Sequence, residues 1–108
     1  MKHLLWLLLV THAVEAKATF RPEAGLYKCI KGNEDSICDQ RLRPFYLGEV
    51  LTAIKVEYVG WCGSMGPYTY YCEKNVCEDA GLRFEFQDGK RYHWINKQYG
   101  FECDFEKL

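Results

Sequence analysis

Apolar positions along this chain follow two rhythms. In RLRPFYLGEVLTAIK (residues 41–55), Leu42, Phe45, Tyr46, Val50 and Ile54 recur at steps of three and four, the spacing of one helix face. Pro44 has no amide hydrogen and fits only a first helical turn. The predicted helix therefore starts near Leu42 or Arg43 and ends near Lys55, with Gly48 weakening it by roughly 1 kcal/mol relative to alanine. From Val56 onward the rhythm shortens. VEYVGW, PYTYYCE, LRFEFQ, KRYHWIN and GFECDF are rich in β-branched and aromatic residues and are separated by Gly, Asn, Asp or Pro, which predicts strands. Ahead of both rhythms, KATFRPEAGL is a polar arm leading into a short first strand. The expected architecture is α+β: one helix packed on an antiparallel sheet.

The sharpest local signal is Asp88-Gly89 between LRFEFQ and KRYHWIN. Asp-Gly suits a two-residue hairpin turn in which both central residues take positive φ. That register sets Leu82 against Ile95, Phe84 against His93 and Phe86 against Arg91. The opposite face then carries Arg83, Glu85, Gln87, Lys90, Tyr92 and Trp94. A face both charged and aromatic is a candidate binding surface, and Arg83, Glu85, Tyr92 and Trp94 are its candidate residues. A bulge at Gly89 would change which residues share a face.

Leu4 to Val10 form an apolar run behind Lys2 and His3, followed by small residues at Val14 and Ala16. The run is far shorter than the roughly 20 residues of a membrane span, and it reads as an export signal. Residues 1–16 are the expected signal peptide, with a second cleavage position after Ala18, and residues 17–108 form one domain. With 14 Lys and Arg against 15 Asp and Glu, the net charge of −1 argues against a grip on nucleic acid by clustered cations and against a cationic membrane-acting toxin.

Six cysteines, Cys29, Cys38, Cys62, Cys72, Cys77 and Cys103, all follow the signal. In a short exported chain they read as three disulfides, for which 15 pairings exist. Their spacings lack the paired ligands of a zinc site, and no phosphate-cradling loop or HExxH motif occurs, so neither metal nor cofactor is expected. His93 is the single histidine beyond the signal. Its nearest carboxylate in sequence, Glu85, falls on the other face in the expected register, which weakens an acid–base pair.

YKC at 27–29, the helix-then-strands order and a cysteine close to the end together resemble the small secreted fungal guanyl-specific ribonucleases. They resemble still more the ribonuclease-like effectors of powdery mildews and related plant-pathogenic fungi, which carry an aromatic-X-Cys motif after the signal. The resemblance implies a Cys29–Cys103 bridge. Three pairings then remain for the inner cysteines: Cys62–Cys72 with Cys38–Cys77, Cys72–Cys77 with Cys38–Cys62, or Cys38–Cys72 with Cys62–Cys77. In the ribonuclease hairpin Arg83 falls at the arginine position, Asn96 or Lys97 stands where a catalytic histidine belongs, and Glu73 occupies the glutamate position loosely. Without the imidazoles, a proton transfer that needs a positioned acid loses orders of magnitude in rate.

The function implied is that of a secreted, monomeric, non-enzymatic virulence effector, a pseudo-ribonuclease with no membrane association. It would act on a host protein or RNA, with passage into host cells open to it. Two rivals are an active ribonuclease or ribotoxin built from His93, Glu73 and Arg83, and a cell-wall or carbohydrate-binding module using exposed Tyr92 and Trp94.

Overall fold

In the computed structural model, residues 21–108 are described; the expected export signal and both its cleavage positions lie outside them. Eight strands follow one another: β1 (Gly25–Gly32), β2 (Asp39–Leu47), β3 (Val50–Val59), β4 (Met65–Glu73), β5 (Val76–Asp79), β6 (Leu82–Asp88), β7 (Arg91–Asn96) and β8 (Phe101–Lys107). Each pairs antiparallel with the next, and β8 returns to β1 to close a barrel. Closure gives every described strand a partner on each side, though β4 meets the short β5 only over Tyr71–Glu73.

The α+β expectation is overturned. Among the described residues the single helical element is a 3-10 turn at Gly60–Cys62, and the predicted helix at 42–55 is the β2–β3 hairpin. Its supposed stripe is split by the barrel wall: Leu42 and Ile54 are 1% and 0% exposed, Phe45 and Val50 36% and 59%. The physical reason is a bulge. Thr52 is passed over between the Phe45–Ala53 and Tyr46–Leu51 pairs, so Ala53 and Ile54 are both buried, and the steps Leu42 to Phe45 and Val50 to Ile54 each join a buried side chain to an exposed one. Gly48, at φ 64°, is the hairpin turn and not a helix interior. The helix-on-sheet, ribonuclease-like architecture goes with that helix.

Alternation puts Tyr27, Leu42, Val56, Tyr70, Phe84 and Phe105, with their inward neighbours, inside the barrel. Half of the interior is an aromatic plug centred on Tyr92. Its ring lies 5.0–5.6 Å from those of Tyr27, Phe84, Phe86 and Phe105, stacked on the last. The arm before β1 covers that end: the Glu23 amide donates to the Gly89 carbonyl, the Tyr46 hydroxyl to the Pro22 carbonyl, and the Arg21 guanidinium lies 4.2 Å from the Tyr46 ring centroid. The disulfides are Cys29–Cys103, Cys38–Cys62 and Cys72–Cys77. The first crosses the seam where the barrel closes.

Candidate binding cup at the open end of the barrel

The opposite end of the barrel is not plugged. The loops after β1, β3, β5 and β7 surround a cup of about 580 Å³, inside the range of small-molecule sites. An eight-stranded barrel is just wide enough to be filled by its side chains or to hold one small ligand. Here the plug fills one end and the cup opens at the other.

The rim is apolar and exposed: Trp61 is 72% and Tyr99 64% accessible, with Met65 and Tyr68 also open to solvent. Two covalent and steric constraints hold it. Cys38–Cys62 ties the turn bearing Trp61 to the start of β2. Gly66, at φ 105°, lets β4 approach β3 so closely that a Cβ there would lie 2.9 Å from the Val56 carbonyl. Ile37, Leu82 and Phe101 form the wall.

The floor is polar beneath this apolar throat. Tyr58 and Tyr70 face each other with hydroxyls 3.0 Å apart, so one donates to the other and the acceptor's own O–H remains free. Burial, reinforced by the neighbouring phenol, pushes the Tyr58 pKa far up; burial raises that of Tyr70 as well. Both stay neutral phenols across the physiological range. Gln40 is fully buried and accepts at Oε1 from the Tyr92 hydroxyl, while its Nε2 finds no acceptor. The Trp94 indole N–H lies near enough to Tyr58 to favour its phenolate slightly, yet falls short of hydrogen-bond geometry and is a second orphan donor. A buried donor left without a partner costs about 1–3 kcal/mol. Two such donors belong to residues that line the base of one cup.

The residues expected to form a binding face are divided by the barrel wall. The β6–β7 ladder pairs Phe84 with Trp94, Glu85 with His93 and Phe86 with Tyr92, one residue away from the expected register. Gln87 drops out of the ladder as a bulge and Asp88 pairs with Arg91. The Asp88 side chain accepts from the Lys90 amide and from Arg91, so the turn residues are Gly89 and Lys90. Neither Asp88 nor Gly89 takes positive φ. Tyr92 and Trp94 consequently point inward and are buried, not exposed as a platform for sugar rings.

Arg83 and Glu85 do lie together on the outer face. Arg83 Nε donates to Glu85 at 2.6 Å and its Nη1 to Glu78 at 3.2 Å, and Lys97 Nζ reaches Glu78 at 2.6 Å. His93 is also outside, with Nδ1 2.7 Å from Asp104 and Nε2 2.9 Å from Glu102. Burial disfavours its cation, but the hydrogen bonds to the two carboxylates outweigh that and raise its pKa. The carboxylates occupy opposite edges of the ring. Among the described residues no three His, Cys, Asp or Glu side chains are arranged to hold a metal ion. Glu73 and Arg83 border one shallow outer depression, to which His93 does not contribute, so the residues of the ribonuclease alternative do not converge. Asn96 stands at the cup's rim, its side-chain oxygen accepting from the Gln98 and Tyr99 amides.

Compared with known proteins, the chain matches no family model, no curated protein and no solved structure.

Of the residues at the cup's floor, the sequence reading singled out Trp94, for the wrong side of the wall. Gln40, Tyr58 and Tyr70 were missed. The signal for them is the alternation Cys38, Gln40, Leu42 and Val56, Tyr58, which places a polar side chain in line with inward apolar ones.

Proposed function

We propose that this protein binds one small, largely apolar molecule in the open end of its barrel. The observation that carries the reading is the combination of an apolar, solvent-open rim with a floor whose buried donors lack partners. Monomeric soluble proteins rarely leave contiguous apolar surface open without a use for it. The tyrosines at the base are held protonated, which suits them to donate hydrogen bonds and not to act as nucleophiles. Binding without turnover is the reading they support.

The export expected from residues 1–16 suits a role outside the producing cell, where three disulfides persist. An effector role would then be exercised by capturing a small molecule. Gripping RNA is less well supported, because Arg83 is already neutralised by Glu78 and Glu85. The outer face carries these ion pairs and not the apolar band that a lipid-facing barrel needs.

The test is fluorescence titration of the full chain with N-phenyl-1-naphthylamine, a neutral apolar probe. Saturable enhancement at one site per chain is expected, weakened about tenfold when the exposed rim is cut back by Trp61→Ala with Tyr99→Ala. Non-saturating enhancement, or binding indifferent to those two changes, overturns the reading.

A further inference from the structure

Resting on that reading, we infer that the cup takes its ligand acceptor-first: a neutral molecule with a flat apolar body whose carbonyl oxygen is seated on the Gln40–Tyr70–Trp94 floor. The polar inventory of the base is one-sided. The Gln40 amide oxygen is used by Tyr92, leaving Nε2 with hydrogens and no acceptor. The Trp94 indole can only donate, and its approach to Tyr58 falls short of hydrogen-bond geometry. The Tyr58–Tyr70 pair consumes one of its two hydroxyl hydrogens and keeps the other. What the floor lacks is an acceptor.

Charge narrows the class further. Among the described residues no Lys, Arg or His lines the cup, and the single carboxylate is Asp79 at the rim. A carboxylate or phosphate would be stripped of water with no counter-charge and would meet Asp79 on entry. A cation would arrive at a base made of N–H and O–H groups. A ketone, ester or amide carbonyl satisfies the donors without either cost. The aromatic side chains of the throat, Tyr68, Tyr99 and Phe101, suit a flat ring system behind that oxygen.

The experiment is calorimetric titration of the full chain with three matched naphthalenes. These are 2-acetylnaphthalene, its isostere 2-isopropenylnaphthalene in which C=CH2 replaces C=O, and 2-naphthoate. The ketone is expected to bind about tenfold tighter than the olefin, the worth of one hydrogen bond to an otherwise orphaned donor, and tighter than the carboxylate. The carbonyl stretch of bound 13C-labelled ketone should fall below its value in a hydrocarbon solvent. Tyr58→Phe with Tyr70→Phe, which removes both hydroxyls of the pair, should leave olefin binding intact and remove much of the ketone's advantage. Olefin binding equal to or tighter than ketone binding overturns this inference while the proposed function stands, as does tighter binding of 2-naphthoate. Saturable binding by none of the three overturns both.

Discussion

Tyr92 and Gln40 show how a single hydrogen bond couples the plug to the cup. The Tyr92 ring is the hub of the aromatic plug, and among the described residues its hydroxyl is the one partner of Gln40 Oε1. Tyr92→Phe keeps the packing but leaves both ends of the buried amide unpartnered, so a loss of about 1–3 kcal/mol is expected. Adding Gln40→Leu removes the stranded amide together with its own orphan nitrogen. The double variant should therefore recover most of that loss, and urea unfolding of the four proteins in a double-mutant cycle measures the coupling. Simple additivity of the two losses would show that the bond does not link the halves. His93 supports a prediction of a different kind. Its folded pKa lies above the unfolded value of about 6.5, so its contribution is fully present below that value and fades as pH rises through the folded pKa. Relative to His93→Gln, the wild type should gain about 0.5–1 kcal/mol near pH 6 and nothing once the imidazole is neutral. Chemical denaturation at a series of pH values between about 5.5 and 8.5 follows the change; a difference that grows with pH contradicts the clasp.

At the scale of elements, the strands from Val56 onward were legible because β-branched and aromatic residues alternate there between turn signals. The segment that misled, 41–55, did so for a reason visible in two residues. Phe45 and Tyr46 lie opposite the bulge at Thr52, and the steps Leu42 to Phe45 and Val50 to Ile54 each join a buried side chain to an exposed one, so the spacing of a helix face arises without one. A bulge also displaced the β6–β7 register: Gln87 leaves the ladder because Asp88 uses its carboxylate to close the turn. Both errors moved whole faces across the wall, and the second carried Trp94 from an imagined surface into the cup. Bulges depend on partner strands and on barrel curvature, neither of which is written locally. The two readings of 41–55 predict different costs. A helix burying Leu42, Phe45, Tyr46, Val50 and Ile54 along one stripe would suffer similarly at each. The barrel predicts about 2–5 kcal/mol for Leu42→Ala and Ile54→Ala, and under about 1 kcal/mol for Phe45→Ala and Val50→Ala, whose side chains face solvent. Equal losses at all four positions would restore the helix.

For the molecule as a whole, the Cys29–Cys103 bridge shows what a covalent link between chain ends does and does not say. In a ribonuclease-like fold it would join the first strand to a late one; here it joins β1 to β8 because a meander of eight strands that closes must bring its extremities side by side. The pairing is compatible with either architecture, so it carried no information about which one formed. Its energetic role does depend on the barrel, since this is the seam at which every other pairing becomes a closed ring. The bridge spans 74 residues of chain and Cys72–Cys77 only 5. Loop-closure entropy then assigns about 4 kcal/mol to the first and about 2 kcal/mol to the second. Replacing Cys29 and Cys103 by Ser should lower the thermal midpoint roughly 10 °C further than the same replacement at Cys72 and Cys77, and amide exchange in β1 and β8 should accelerate before that of β3 and β4. If both double variants melt together and exchange uniformly, the unfolded chain is already held near closure by the remaining contacts, and the seam is kept shut by the aromatic plug around Tyr92 and not by the disulfide.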